Sequence, residues 1–153
     1  MSDRPEEGDL MTVADILAQK GREVATIAAA VPITRAVAEL AARKIGALVV
    51  VDQDRRVNGI ISERDVVRAI GQNGPDILSN AVSSIMTHEV VGCSDSETIN
   101  EVMSRMTLGR FRHLPVVKDG RLDGIISIGD VVKARIEEVE FEAEEMRAYI
   151  ATA

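Results

Sequence analysis

One stretch of this chain occurs twice. Gly59-Ile60-Ile61-Ser62-Glu63-Arg64-Asp65-Val66-Val67 returns as Gly124-Ile125-Ile126-Ser127-Ile128-Gly129-Asp130-Val131-Val132, at an offset of 65. Upstream, Ile33, Val37, Leu40, Lys44, Leu48 and Val50 recur as Ile99, Met103, Met106, Arg110, Leu114 and Val116, at an offset of 66. The extra residue falls between Val51 and Val57, in a connection where a change of loop length costs little. Self-similarity of this kind means one supersecondary unit used twice. A unit of about 60 residues buries a smaller fraction of its surface than a larger domain does and is only marginally stable by itself. The two copies are therefore expected to pack their sheets together as one folding unit.

The apolar period identifies the elements of each copy. Ile33, Val37, Leu40 and Ala41 keep helical spacing, with Pro32 placed for a first helical position. Ile99, Val102, Met103 and Met106 do the same after the cap-rich Ser94-Asp95-Ser96-Glu97. Two strands follow: Val49-Val50-Val51 and then Val57 to Ser62 in the first copy, Val116-Val117 and then Leu122 to Ser127 in the second. Asp119-Gly120 is the clearer of the two hairpin turns. A short strand is expected before each helix, at Glu23 to Ala28 and at Val90 to Cys93, and a second helix after each Ser-x-x-Asp. Gly71, Gly74 and Pro75 punctuate the middle. From Asp130 to Tyr149 no Gly or Pro interrupts what reads as one long helix, with Val139, Met146 and Ile150 placed to meet a partner chain. The fold class is α+β.

Composition excludes several functions. Hydrophobic residues make up 46% of the 153, yet Ile27 to Ile33 and Ile45 to Val51 fall far short of the roughly 18 apolar residues that span a bilayer. Asp3, Arg4, Glu6, Glu7 and Asp9 open the chain in place of an export signal, so a cytoplasmic location is expected. The lone Cys93 allows no internal disulfide and fits a reducing compartment. The formal charge of −7 lies at the ends: residues 1–10 carry −3 and residues 137–153 carry −5, which leaves +1 for the stretch between them. Such a body offers no basic stripe for nucleic acid or anionic membrane, although phosphate can bind locally.

Lys44-Ile45-Gly46-Ala47-Leu48-Val49-Val50-Val51, Ile60 to Asp65, Phe111-Arg112-His113-Leu114-Pro115-Val116-Val117 and Gly124 to Asp130 together resemble the CBS (cystathionine-β-synthase) repeat family. The match is closest to the small bacterial proteins made of a single CBS pair, and it covers roughly residues 10–150. The resemblance implies tandem β-α-β-β-α repeats about a pseudo-twofold axis. Their boundaries would be a flexible residue 1–10 segment, repeat 1 at 11–72, a linker at 73–82, repeat 2 at 83–136 and an acidic helical extension at 137–153. It also implies a homodimer, two clefts between the repeats for adenine nucleotides (AMP, ATP or NAD(H)), and a regulated protein partner.

Ser62-x-x-Asp65 and Ser127-x-x-Asp130 have two readings. A Ser followed three residues later by an acid is the form of a capping box, in which the two side chains satisfy free backbone amides. In family members the Asp of this motif takes the vicinal ribose hydroxyls and the Ser lies near ribose or phosphate. Arg64 stands in the first turn of its helix, where the dipole favours an anion; Gly129 replaces it in the second copy. The Asp65 cleft is therefore expected to tolerate more phosphate charge.

The family often places ligand contacts where Arg112 and His113 stand. By the same resemblance Ile45, Gly46 and Ala47 line an apolar wall, and Ile60 and Ile125 complete the ligand-binding set. Aromatic stacking of adenine is nearly excluded, since Phe111, Phe141 and Tyr149 are the only aromatics. No catalytic constellation or metal-ligand spacing stands out, and Cys93 reads as a small buried residue. These observations favour a non-catalytic nucleotide sensor. The alternatives are a structural dimerisation module with vestigial clefts and, more weakly, an enzyme that consumes the nucleotide.

Overall fold

The computed structural model describes residues 10–152 of the chain, so most of the expected N-terminal segment lies outside the described residues. The elements in order are α1 (Val13–Lys20), β1 (Thr26–Ile27), α2 (Ile33–Arg43), β2 (Ala47–Val51), β3 (Val57–Ser62) and α3 (Glu63–Asn73). Two 3-10 turns, Pro75–Ser79 and Val82–Ser84, lead to α4 (Ile99–Gly109), β4 (His113–Lys118), β5 (Arg121–Ser127) and α5 (Ile128–Thr152). The mixed α+β architecture and the long last helix agree with the sequence reading. By contacts the chain forms two compact units, and these interleave along the sequence. One comprises the chain up to Arg22, Cys93–Leu114 and the chain from Ile126; the other comprises Glu23–Gly92 and Pro115–Ile125.

In the unit that begins at Glu23, the β-branched run becomes the buried middle strand of a sheet ordered β1-β2-β3. β1 runs parallel to β2, pairing Thr26 with Val49 and Ile27 with Val50, and β2 runs antiparallel to β3, with Leu48 opposite Ile61. Leu48, Val50 and Ile61 have no exposed surface, and α2 lays Ile33, Ala36 and Leu40 among them. The i, i+3, i+7 spacing makes one side of that helix apolar.

Pro32 is the N-cap of α2, one position earlier than expected. Its extended backbone (φ −66°, ψ 150°) bridges Ala81, while Ile33 N–H donates to the Asn80 carbonyl. On β3, a Cβ added at Gly59 would lie 2.7 Å from the Thr87 carbonyl oxygen and 2.8 Å from the Met86 sulfur. Thr87 is fixed there by reciprocal backbone bonds with Ile60. Gly59→Ala is accordingly expected to cost about 1–3 kcal/mol through overpacking, a loss readable as a lower urea midpoint at unchanged m-value.

In the other unit, α1 is an element the apolar period did not announce. It anchors Val13, Ile16 and Leu17 in the core, and Val13 N–H donates to the Glu97 carbonyl. α4 contributes Ile99, Val102 and Met106 behind a Thr98–Glu101 capping box, so the cap lies just beyond the expected Ser94 to Glu97. Glu97 bonds Arg105, which holds its carboxyl below the usual carboxylate range. α5 buries Val131, Ala134 and, unusually for an acid, Glu138. That carboxylate accepts from Met11 N–H at 2.9 Å and from Arg135 at 3.0 Å, so the buried charge is paired.

Two expected strands change. The first shortens to Thr26–Ile27, and no strand forms at Val90 to Cys93, where only Cys93 makes an isolated bridge. The reason is Pro115. In the first repeat, Val49 N–H donates to the Ala25 carbonyl and so ties β1 to β2. The residue matching Val49 is Pro115, which has no N–H to give. The second sheet is thus a two-stranded hairpin, β4-β5. It turns on Asp119 (φ 52°) and Gly120 (φ 80°), both in the left-handed region that a two-residue hairpin turn requires.

Candidate functional site

The first Ser-x-x-Asp forms a corner where β3 enters α3. Ser62 caps the helix, and its hydroxyl accepts from Asp65 N–H at 3.2 Å. Asp65 Oδ2 accepts from Ser62 N–H at 2.8 Å and from the Ser62 hydroxyl at 3.0 Å. The cap reading of the motif is therefore correct. It does not use up the carboxylate, because among the described residues these bonds fall on Oδ2 and leave Oδ1 available. Glu63 N–H donates to the Gly46 carbonyl at 3.0 Å, and Ala47 pairs with Ser62 across the sheet. Ile45, Gly46 and Ala47 are thereby brought against the same corner. Ile60 lies two residues before Ser62 and so on the same face of β3. Arg64 is exposed in the first turn and makes no ion pair among the described residues.

The second corner repeats this geometry where β5 enters α5. Ser127 N–H donates to Asp130 Oδ2 at 2.8 Å, and Asp130 N–H donates to the Ser127 hydroxyl at 3.1 Å. Ile128 N–H donates to the Arg112 carbonyl at 2.8 Å, as Glu63 N–H does to Gly46, and so brings Arg112 and the half-buried His113 beside the motif. Ile125 stands two residues before Ser127 on β5.

Here one residue joins that sequence reasoning missed. Lys20, from the last turn of α1, places its ammonium 2.7 Å from Asp130 Oδ2. Burial pushes the Asp130 carboxyl up, but the Lys20 ammonium and the Ser127 amide outweigh it and hold the group below the usual carboxylate range. Nothing along the chain points to this pair, since 110 residues separate its members.

Cys93 is buried, and burial followed by the nearby Glu97 charge pushes its thiol up to about 12. The reactive thiolate is thus withheld at neutral pH. Among the described residues no group of His, Cys, Asp and Glu could hold a metal ion, and no helix is long and apolar enough to cross a membrane.

With two equivalent corners in place, comparison with known proteins decides the family. The CBS domain profile matches twice, over residues 8–72 and 82–137. The chain belongs to the CBS domain family. A solved CBS-domain containing protein from Agrobacterium tumefaciens is 51% identical to it and superposes with a TM-score of 0.79, covering 82% of this chain and 94% of that one. The mitochondrial CBS domain-containing protein CBSX3 of Arabidopsis thaliana is 39% identical over 119 residues, 75% of this chain but only 58% of the relative. The curated relative from Acidianus ambivalens is likewise spanned over only 64% of its length.

Two solved CBS proteins carry adenosyl ligands. One is a CBS domain pair in complex with 5′-methylthioadenosine and S-adenosyl-L-methionine, 27% identical with a TM-score of 0.68 over 81% of this chain and 94% of that one. The other is CBSX2 in complex with AMP, 25% identical with a TM-score of 0.68 over 83% and 97%.

Proposed function

We propose that this CBS pair is a non-catalytic, cytoplasmic regulatory module. Each Ser-x-x-Asp corner takes the ribose of an adenosyl nucleotide such as AMP, ATP or NAD(H), and occupancy alters a protein partner. The observation that carries this reading is the divided use of each carboxylate: one oxygen holds the helix cap and the other is left for a ribose hydroxyl. Ser62, Asp65, Ser127 and Asp130 would hold the sugar, with Arg64, Arg112 and His113 near phosphate. Ile45, Gly46, Ala47, Ile60 and Ile125 would offer backbone and aliphatic contact to adenine. The adenosyl ligands of the two solved relatives support the ligand class.

Thermal unfolding with AMP, ATP, NADH and S-adenosylmethionine tests the proposal. Ligand at 100 times its dissociation constant adds roughly 2.7 kcal/mol, an increase of about 5–10 °C in Tm for a chain of this size. No shift with any of the four would leave only an architectural role, and chromatography of the incubated nucleotide would expose turnover. Arg64→Ala is expected to weaken ATP at the Asp65 corner at least threefold while changing AMP less. Unchanged ATP affinity would show that Arg64 is a solvated helix residue.

A second observation bears on assembly. Ile128, Val132, Ile136, Val139, Met146 and Ile150 form one exposed apolar stripe along α5 at helical spacing. Its first half borders a groove of about 540 Å³ together with Gly129, Lys133 and Glu137. This favours a homodimer built on α5, which also serves the structural alternative. Val139→Glu with Ile150→Glu is expected to halve the mass in sedimentation equilibrium.

A further inference from the structure

The two corners share their cap geometry but not their charge. By sequence the Asp130 corner has Arg112 beside it but no cation in the first turn of its helix, since Gly129 stands where Arg64 does. The fold supplies one from elsewhere in Lys20, whose ammonium sits 2.7 Å from the Asp130 carboxylate, while Asp65 has no ion pair among the described residues. Lys20 is held by a fixed element: α1 is anchored by the buried Val13, Ile16 and Leu17, and it stops at Gly21, whose φ of 93° ends the helix just past the lysine. Its side chain is one-third exposed and that of Asp130 one-quarter exposed, so a solute can reach both.

We propose that Lys20 sets the ligand preference of the Asp130 corner, selecting adenosyl ligands that carry a negative group on the 5′ side over neutral ones. This rests on the reading that Asp130 takes a ribose. A diol bonded to Asp130 Oδ1 brings the 5′ substituent near the ammonium on Oδ2. An anionic substituent gains a cation there. A neutral one gains nothing, and the lysine stays on the carboxylate.

The test uses the full chain carrying Asp65→Asn, which silences the first corner while an amide oxygen keeps its cap. AMP and 5′-methylthioadenosine are titrated calorimetrically at low ionic strength into this protein and into versions with Lys20→Met or Lys20→Arg. Lys20→Met is expected to weaken AMP about tenfold and to change 5′-methylthioadenosine less than threefold, while Lys20→Arg restores the AMP preference. If both ligands bind and the ratio of their affinities is the same with Met as with Lys, the assignment of Lys20 is wrong and the ribose reading stands. If neither binds while Lys20 is present, the Asp130 corner is not a nucleotide site and both ideas fall together.

Discussion

A chain carrying both Asp65→Asn and Asp130→Asn is expected to fold normally and to lose its response to adenosyl nucleotides. The physical basis is the division of labour within each carboxylate. The amide oxygen of Asn can still accept from the Ser62 or Ser127 N–H, and Asn and Asp serve comparably in caps. The substitution therefore costs the fold little at the Asp65 corner. It costs more at the Asp130 corner, where the charge is also paired with Lys20. That pair is partly exposed, and such pairs contribute little.

What Asn cannot do is present a second negative oxygen to the ribose, since an NH2 group stands in its place. A hydrogen bond to a charged group contributes about 1.5–3 kcal/mol, so each corner should bind roughly 10- to 150-fold more weakly. Circular dichroism and urea midpoints close to wild type, with nucleotide-dependent Tm shifts abolished, is the expected pattern. Full retention of those shifts would assign both motifs to capping alone.

Ile61→Ala and Ile126→Ala are expected to destabilise the protein severely and to similar extents. The two residues occupy matching positions in the repeats, one on β3 and one on β5, and both have no exposed surface. Removing a buried isoleucine side chain beyond Cβ costs about 2–5 kcal/mol, because a close-packed surrounding collapses only partly into the void. Total stability in a domain of this kind is about 5–15 kcal/mol, so the double variant should be largely unfolded or populate the native state weakly. Val67→Ala is the control. It follows the same motif but is 71% exposed, and it should stay within about 0.5 kcal/mol of wild type. Urea titration of the three single variants checks the ranking, and equal effects at Val67 and Ile61 would contradict the packing described here.

Much of the fold was legible because it is written in neighbours. The helical spacing of Ile33, Val37 and Leu40, the β-branched Val49-Val50-Val51, the Asp119-Gly120 turn and the capping form of Ser-x-x-Asp are all set within a few residues, where local sterics and local hydrogen bonds decide conformation. The misses have equally specific causes. α1 is only eight residues long, too short for a period to stand out, and most of its stability comes from tertiary burial of Val13, Ile16 and Leu17. The strand expected at Val90 to Cys93 fails to form because Pro115, where the first repeat has Val49, removes one donor from the ladder.

The candidate residues divide in the same way. Two like units, a strand that ends in a capped helix in each, and an acid in each cap all follow from the order of residues along the chain. Periodicity and capping need only the residues that take part in them. Which oxygen of Asp65 and Asp130 the cap consumes, and that Lys20 closes on Asp130 from 110 positions away, was decided by tertiary structure. An ion pair of that reach exists only once packing has fixed both backbones, and no local pattern along the chain records it.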